Sequence, residues 1–125
     1  MAERVEIFAP TIAAGTAIAT PATFALTMNE CVVRRLEVVV PPGPSGLVGI
    51  RFAHSSQVMI PFRGNAWIVT DNERLEWDLS GYPTGDKWTM LGYNTGIYSH
   101  TLQVRFFVDE IPSRPAGRLI PVEIP

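Results

Sequence analysis

With 125 residues, the chain is long enough to bury about two-thirds of its unfolded surface in one domain, so it needs neither disulfides nor metals to be stable. Its formal net charge is -2 and its basic residues are scattered, which excludes the electrostatic footprint of a nucleic-acid-binding protein. Cys31 is the single cysteine, so an intrachain disulfide is impossible and a cysteine-based zinc site would lack ligands.

The sequence shows neither a secretory signal nor a membrane span. Glu3 and Glu6 stand where a signal peptide would carry basic residues. The apolar runs all fall well short of the roughly 20 residues that a membrane helix needs. We therefore expect synthesis in the cytoplasm and no membrane partner.

Apolar residues recur with a period of two along most of the chain, which predicts half-buried β-strands. Between residues 74 and 79, large apolar side chains alternate with charged ones. From 100 to 109 the alternation is longer and indicates a central strand, with Phe107 as a partly covered apolar exception on its polar face. The predicted strands, in chain order, are residues 5–8, 22–28, 32–40, 47–54, 57–62, 66–70, 74–79, 88–93 and 100–109.

Glycine and proline stand between these strands, most densely at residues 41–46, Pro-Pro-Gly-Pro-Ser-Gly. Proline restricts φ and glycine accepts positive φ, so this segment predicts a rigid connection between two strands. No ten-residue segment has a capped apolar stripe of helical period, so we expect no helix longer than a single turn. The pattern predicts an all-β, single-domain antiparallel β-sandwich, with jelly-roll-like connectivity favoured and the strand order left open.

The two ends of the chain differ from the rest. Residues 9–22 are rich in alanine, threonine and glycine, which predicts an extended N-terminal segment that anchors little by itself and lies over a neighbour. The four prolines of residues 111–125 predict an extended C-terminal arm beyond a sandwich domain of residues 1–110. The apolar residues of the arm need cover and are candidates for a subunit interface: Leu119, Ile120, Val122 and Ile124. Packing on the parent domain and a disordered tail are the alternatives.

Residues that could carry catalysis are few, and each has a simpler structural interpretation. His54 and His100 lack the close pairing of a cupin metal site, so we expect structural histidines. Cys31 is expected to be a small buried apolar residue rather than a reactive thiol. The carboxylates of residues 71–78 could suggest a calcium or glycosidase site, but they alternate with apolar residues on a solvated strand face. We expect no catalytic residue, no metal and no cofactor.

Aromatic side chains leave one possible ligand site. Tyr82 and Trp88 flank a turn at residues 83–87, and with Tyr98 they could form a stacking platform for sugar rings. The alternative is that these aromatics are core tryptophans and turn-packing tyrosines.

A resemblance to a known class runs through the turns of the chain. Its elements are Ala14-Gly15-Thr16 with Pro21, residues 33–40 with the turn that continues to 50, Ile60-Pro61, and Tyr93-Asn94-Thr95-Gly96 followed by 100–105. In these elements the chain resembles small β-sandwich virion proteins of tailed bacteriophages. The resemblance implies a non-enzymatic structural protein of the virion, of the capsid-decoration or tail-associated type. Such a protein would form a homo-oligomer, with a trimer favoured, and would bind other virion proteins such as the major capsid protein.

Two other functions stay open. The first is a carbohydrate- or receptor-recognition module of a tail-associated apparatus, which requires Tyr82, Trp88 and Tyr98 to be exposed in a groove. The second is an enzyme on a jelly-roll scaffold, which requires His54 and His100 to converge with a carboxylate.

Overall fold

The computed structural model describes residues 3–55, 57–61, 66–84 and 87–110, and of residues 80–84 it describes the backbone alone. Every regular secondary-structure element in these ranges is a β-strand, so the prediction of an all-β domain is confirmed. None of the described segments is a helix long and apolar enough to cross a membrane. In chain order the strands are β1 (Glu3–Phe8), β2 (Thr11–Ile12), β3 (Ala22–Ala25), β4 (Cys31–Val40), β5 (Val48–His54), β6 (Gln57–Ile60), β7 (Ile68–Val69), β8 (Glu73–Thr84), β9 (Trp88–Asn94), β10 (His100–Thr101) and β11 (Gln103–Glu110).

Two antiparallel sheets make up the sandwich. One has the order β1-β11-β4-β8, and the other has the order β3-β9-β5-β6, with the short β7 also pairing with β5. The pairs are nested, because β1 pairs with β11, β3 with β9, β4 with β8 and β5 with β6. This nesting of early strands with late ones is the connectivity of a jelly roll. The favoured topology of the sequence prediction is thus the one observed.

The core lies between the two sheets, because the apolar side chains that alternate along each strand face the opposite sheet. Val104, Phe106 and Val108 of β11 are fully buried, while the residues between them are only partly covered. From the other sheet, Phe52 and Trp88 are the largest buried side chains, and the Trp88 ring lies 5.4 Å from that of Phe106. Each large side chain buried here stabilises the fold by about 1.5–3 kcal/mol.

Two sequence predictions about single side chains are confirmed in this core. Cys31, at the start of β4, has no exposed surface, and burial raises the pKa of its thiol. It is therefore a small buried apolar residue, as expected. Phe107, the apolar residue on the polar face of β11, is half-covered because the guanidinium of Arg35 lies 4.1 Å from its ring centroid.

Charged residues concentrate on the outer face of the β1-β11-β4-β8 sheet. Glu37 of β4 is only 2% exposed, and its carboxylate accepts a hydrogen bond from Arg105 Nη1 at 2.6 Å. Arg74 Nη1 lies 3.1 Å from the second oxygen of the same carboxylate, and Arg74 also pairs with Glu76. A buried carboxylate flanked by two guanidinium groups is electrostatically compensated. We call the β1-β11-β4-β8 sheet the charged sheet, after this outer face.

Residues 9–22 do not behave as expected from their composition. Ile12 is fully buried, and β2 pairs with β10 through His100↔Ile12 and Thr101↔Thr11. A Cβ at Gly92 would lie 2.6 Å from Ile12 Cδ1, so the isoleucine occupies space that this glycine leaves open. The expectation that the segment anchors little is wrong, because one large side chain finds a fitted site. The predicted arm at 111–125 lies outside the described residues.

Candidate interaction surface

Four connections of the jelly roll meet at one end of the sandwich. They are residues 9–21, 41–47, 70–72 and 95–102, and the register of the strands brings them to the same side. Backbone hydrogen bonds join them: Gly15 N donates to Gly96 O at 3.2 Å, and Thr95 N donates to Leu47 O at 3.0 Å. We call this end of the molecule the loop end.

Asn94, the last residue of β9, forms hydrogen bonds to two of the connections at the loop end. Its side chain is fully buried, and Nδ2 donates to the carbonyl oxygens of Ile12 at 3.1 Å and Tyr98 at 2.7 Å. The side-chain oxygen accepts from Gly96 N at 2.9 Å, and the backbone N–H of Asn94 donates to Thr16 O. Both donors of the amide are therefore used, and leaving one buried and unpaired would cost about 1–3 kcal/mol. The turn that follows is set in one geometry.

The proline- and glycine-rich turn lies at the same end. Gly43 has a φ of 128°, and its N–H donates to Asp71 Oδ1 at 2.9 Å. A Cβ at this glycine would lie 3.2 Å from His100 Cε1, so the turn packs closely on the strand leading into β11. Leu47 N donates to Pro44 O at 2.9 Å and closes the turn. The rigid connection predicted from the sequence thus supports the loop end.

Large apolar side chains project into solvent from these rigid loops. Ile97 is 82% exposed and Tyr98 is 70% exposed, both directly after the turn that Asn94 holds. Leu47 and Ile18, on two neighbouring connections, are 45% and 50% exposed. Exposed apolar residues that share one end of a molecule are candidates for an interaction site, whereas single ones need no explanation.

The loop end also lacks charge. Residues 9–21, 41–47 and 95–99 contain no lysine, arginine, aspartate or glutamate. Asp71, at 70–72, is the acidic exception, and its Oδ1 accepts from Gly43 N–H. Depletion of charge together with an exposed tyrosine is the composition of the centre of a protein–protein interface. The geometry therefore forms a preorganised apolar surface suited to docking against another protein.

The aromatic residues proposed for sugar stacking do not come together. Trp88 is 1% exposed and packs its ring against His54 and Phe106, so it is not a stacking residue, and the alternative of a core tryptophan is the one observed. Tyr98 is exposed, but it follows the end of β9 whereas Trp88 begins it. Tyr82 lies in β8 with its backbone opposite Val33, and its side chain is outside the described part. Leu119, Ile120, Val122 and Ile124, the candidate interface residues of the arm, also lie outside the described residues.

The two histidines lie at opposite ends of the sandwich. His54 ends β5, where burial and the nearby charge of Lys87 lower its pKa, while His100 lies beside Gly43 at the loop end. The length of β5 alone, seven residues, separates the two ends by about 20 Å. Across the described ranges, no cluster of three or more histidine, cysteine or acidic residues is arranged to hold a metal ion. The convergence that an enzyme on this scaffold would require is not formed by His54 and His100.

Asn94, Leu47, Ile18 and Ile97 were not identified as site residues from the sequence. The signal that could have revealed them is the combination of three charge-free connections with the turn Asn94-Thr95-Gly96. Period-two patterns direct attention to strands, and so they miss residues whose role depends on where loops meet.

No family model matches this chain, and no curated protein was found to be similar to it. Solved structures are similar in fold. The crystal structure of FLHE aligns with a TM-score of 0.51 at 12% identity, over 88% of this chain and 100% of that one. The coat protein of tobacco streak virus aligns with a TM-score of 0.48 at 10% identity, over 95% of each chain. The Yersinia pseudotuberculosis-derived mitogen aligns with a TM-score of 0.40 at 12% identity, over 90% of this chain and 92% of that one. At these identities the first likeness supports the β-sandwich fold alone, and the other two are too weak to support any conclusion.

Proposed function

We propose that this protein is a non-enzymatic structural component of a virion, of the capsid-decoration or cement type, that binds neighbouring subunits through its loop end and so stabilises the particle. The observation that carries the proposal is the display of Ile97 and Tyr98 by a turn anchored on the buried Asn94. The resemblance of the turn elements to virion proteins of tailed bacteriophages supports the assignment of the protein to a virion. The fold by itself does not select a function, because jelly rolls serve in capsid, lectin and cupin domains alike.

Rigidity makes this surface effective for binding. A loop that is already held in its bound geometry loses little conformational entropy when it docks. Ile97 and Tyr98 would enter an apolar depression on the neighbouring subunit, and the surrounding charge-free connections would exclude water around them. On a symmetric particle, many such contacts act together, so each one can be weak.

The experiment that tests the proposal uses particles lacking the protein. Purified wild-type protein is added to them and co-sedimentation is measured, beside the variants Ile97→Asp and Ile7→Asp. Ile7 is the matched control, because it is also an exposed isoleucine, 59% accessible, but lies on β1 at the edge of the charged sheet. We expect wild-type protein and Ile7→Asp to bind, and Ile97→Asp to bind about tenfold or more weakly. Equal binding by Ile97→Asp, or no binding by the wild type, would overturn the proposal.

One observation favours the alternative, a carbohydrate- or receptor-recognition module: the exposed ring of Tyr98. An aromatic face is what a sugar ring stacks on. A glycan array distinguishes the two functions, because the alternative predicts binding that Tyr98→Ala abolishes and Ile97→Asp leaves intact. The virion proposal predicts no glycan binding by any of these variants.

A further inference from the structure

The open edge of the charged sheet is formed by β1. Among the described residues, β1 is the last strand of this sheet and pairs on one side alone, with β11. Leu102 N donates to Pro10 O at 3.0 Å, and these two residues stand opposite each other when the β1–β11 register is continued. Because hydrogen-bonded positions alternate along an antiparallel pair, the even-numbered residues of β1 bond to β11. The odd-numbered ones, Glu3, Val5 and Ile7, turn their N–H and C=O groups to the open edge.

Two side chains of opposite charge lie on the inner face of this edge. Arg4 and Glu6 stand opposite Val108 and Phe106, which are buried between the sheets. Their side chains are 24% and 29% exposed, and Arg4 Nε lies 2.5 Å from Glu6 Oε2. Arg4 Nη1 also contacts Glu110, whereas Arg4 Nη2 is buried and has no hydrogen-bond partner in the part of the chain that the structure describes. These contacts therefore leave one guanidinium donor of the edge unused.

Charges that point inward usually protect an edge strand, because a strand added beside them would bury them. The exception is a strand that carries the opposite charges in the right order. An antiparallel strand that matches Arg4 and Glu6 must read, in its own direction, as a basic residue, any residue and an acidic residue. β1 itself has this order, Arg4-Val5-Glu6. When two copies of β1 pair about Val5, Arg4 of each copy stands opposite Glu6 of the other.

Other segments of the chain do not offer this match. Of the described edge strands, β3, β6 and β7 carry no charged residue. On β8, at the opposite edge of the charged sheet, Leu75 and Trp77 face inward and the charged residues face outward, so β8 would set apolar side chains against the charged pair of β1. Residues 111–125 contain one acidic residue, Glu123, and both residues two positions away from it are proline. The charges therefore select a second copy of β1.

We propose that two copies of this chain pair through β1, antiparallel and about a two-fold axis at Val5, so that their charged sheets join into one. In this register, Val5 exchanges backbone hydrogen bonds with Val5 of the second copy, and Glu3 does so with Ile7 of the second copy. Arg4 Nη2 gains Glu6 of the second copy as an acceptor. A register centred on residue 4 or residue 6 would instead set like charges opposite each other, which is destabilising.

This contact goes beyond the proposed function and does not depend on it. It is isologous and closes with two copies, so it makes a dimer rather than the trimer that the resemblance favours. Each copy contributes a strand of six residues, so the contact is small and the pairing is weak in dilute solution. The loop end of a single copy suffices for particle binding. Variants that lose pairing should therefore still bind particles, and Ile97→Asp should lose particle binding but keep pairing.

The first test exchanges the charges and measures association by sedimentation equilibrium up to about 1 mM protein. Arg4→Glu has carboxylates at both positions and Glu6→Arg has guanidinium groups at both, so each variant alone should associate about tenfold or more weakly than the wild type. Mixed in equal amounts, the two variants complement each other and should associate nearly as well as the wild type. Glu76→Arg is the matched control, because it changes the net charge as Glu6→Arg does but lies on β8 at the opposite edge.

The mixture is the decisive sample, because a loss of stability in either variant cannot produce association when the two are combined. A mixture that associates no better than its components would overturn the inference. So would a wild type that is monomeric at all concentrations, or one that forms trimers.

The second test locates the two-fold axis by disulfide trapping. In the proposed register the Cα atoms of the two Val5 residues are about 5.5 Å apart, which a disulfide can bridge. Ile7 is more exposed than Val5, 59% against 42%, but its two copies are about 13 Å apart along the strands. The native Cys31 is buried and does not interfere. On oxidation we expect a crosslinked dimer of Val5→Cys and none of Ile7→Cys. Stronger crosslinking of Ile7→Cys, or none of Val5→Cys, would contradict pairing about Val5.

Discussion

Asn94 Nδ2 donates a hydrogen bond to the carbonyl oxygen of Tyr98 at 2.7 Å, so a fully buried amide holds the backbone of a residue that is 70% exposed. The two residues are four positions apart, and the turn between them carries Ile97. Polar groups in a core usually specify geometry, because an alternative conformation would leave them unpaired. The buried hydrogen bonds of Asn94 therefore also hold the surface turn that follows it in one conformation.

Replacing Asn94 by alanine should loosen this turn. The backbone carbonyls of Ile12 and Tyr98 and the N–H of Gly96 lose their partners, which should lower the free energy of unfolding by about 1–3 kcal/mol. Urea denaturation measures the loss, and hydrogen exchange should show faster exchange at the Gly96 amide. Thr95→Val is the neighbouring control, because Thr95 makes one long exposed bond to Leu47 O at 3.3 Å. A stability loss in Thr95→Val equal to that in Asn94→Ala would contradict this assignment.

Gly92 and Ile12 should be energetically coupled. An added Cβ at Gly92 would lie 2.6 Å from Ile12 Cδ1, so Gly92→Ala should destabilise the fold by about 1–3 kcal/mol through overpacking. Ile12→Val removes that δ carbon, at a cost of about 0.5–1.5 kcal/mol as a single change. In the double variant the two costs should not add, and a double-mutant cycle measures the difference. Strictly additive costs would show that the isoleucine does not occupy the space above this glycine.

Glu37 should matter more than the other acidic residues of the charged sheet. Its carboxylate is 2% exposed and contacts both Arg105 and Arg74, so Glu37→Gln would remove the carboxylate partner of Arg105, while Arg74 keeps Glu76. We expect a loss of about 2 kcal/mol in the free energy of unfolding, because hydrogen bonds to charged groups are lost. Glu76→Gln removes an exposed partner of Arg74 and should cost about 1 kcal/mol or less. Chemical denaturation of both variants checks the ranking, and the reverse order would refute it.

His54 should make the fold less stable in acid. Burial and the charge of Lys87 lower its pKa below the ordinary value of 6.5, so the unfolded chain binds a proton more readily than the folded one. His54 therefore does not change the free energy of unfolding above about pH 6.5. It lowers that free energy increasingly as the pH falls from there towards the lowered pKa. In His54→Gln this part of the pH dependence should disappear, while His100→Gln should keep it. Thermal unfolding from pH 7.5 to 5 measures the difference, and identical slopes for wild type and His54→Gln would contradict the assignment.

Much of the fold could be predicted from the sequence because strand formation depends on local pattern. The alternation around Leu75 and Trp77, the burial of Cys31 and the partly covered Phe107 all follow from period two and composition. Less of the candidate site could be predicted from the sequence. Tyr98 and Trp88 were both candidates for a stacking platform, with a core position as the alternative, and the structure places the ring of Trp88 in the core. A tryptophan beside a turn is equally compatible with both positions until the facing sheet is known.

An all-β domain, a rigid turn at 41–46 and three connections without charge can be read from local pattern, because these are properties of neighbouring residues along the chain. Packing of the two sheets was needed to show that β1 pairs with β11 and β4 with β8, that His54 and His100 lie apart, and that Asn94 joins Ile12 to Tyr98. Such relationships connect residues far apart along the chain: Asn94 and Ile12, for example, are separated by 82 positions. They form because the two sheets can bury their apolar faces together in this nested order, and no local pattern encodes that order.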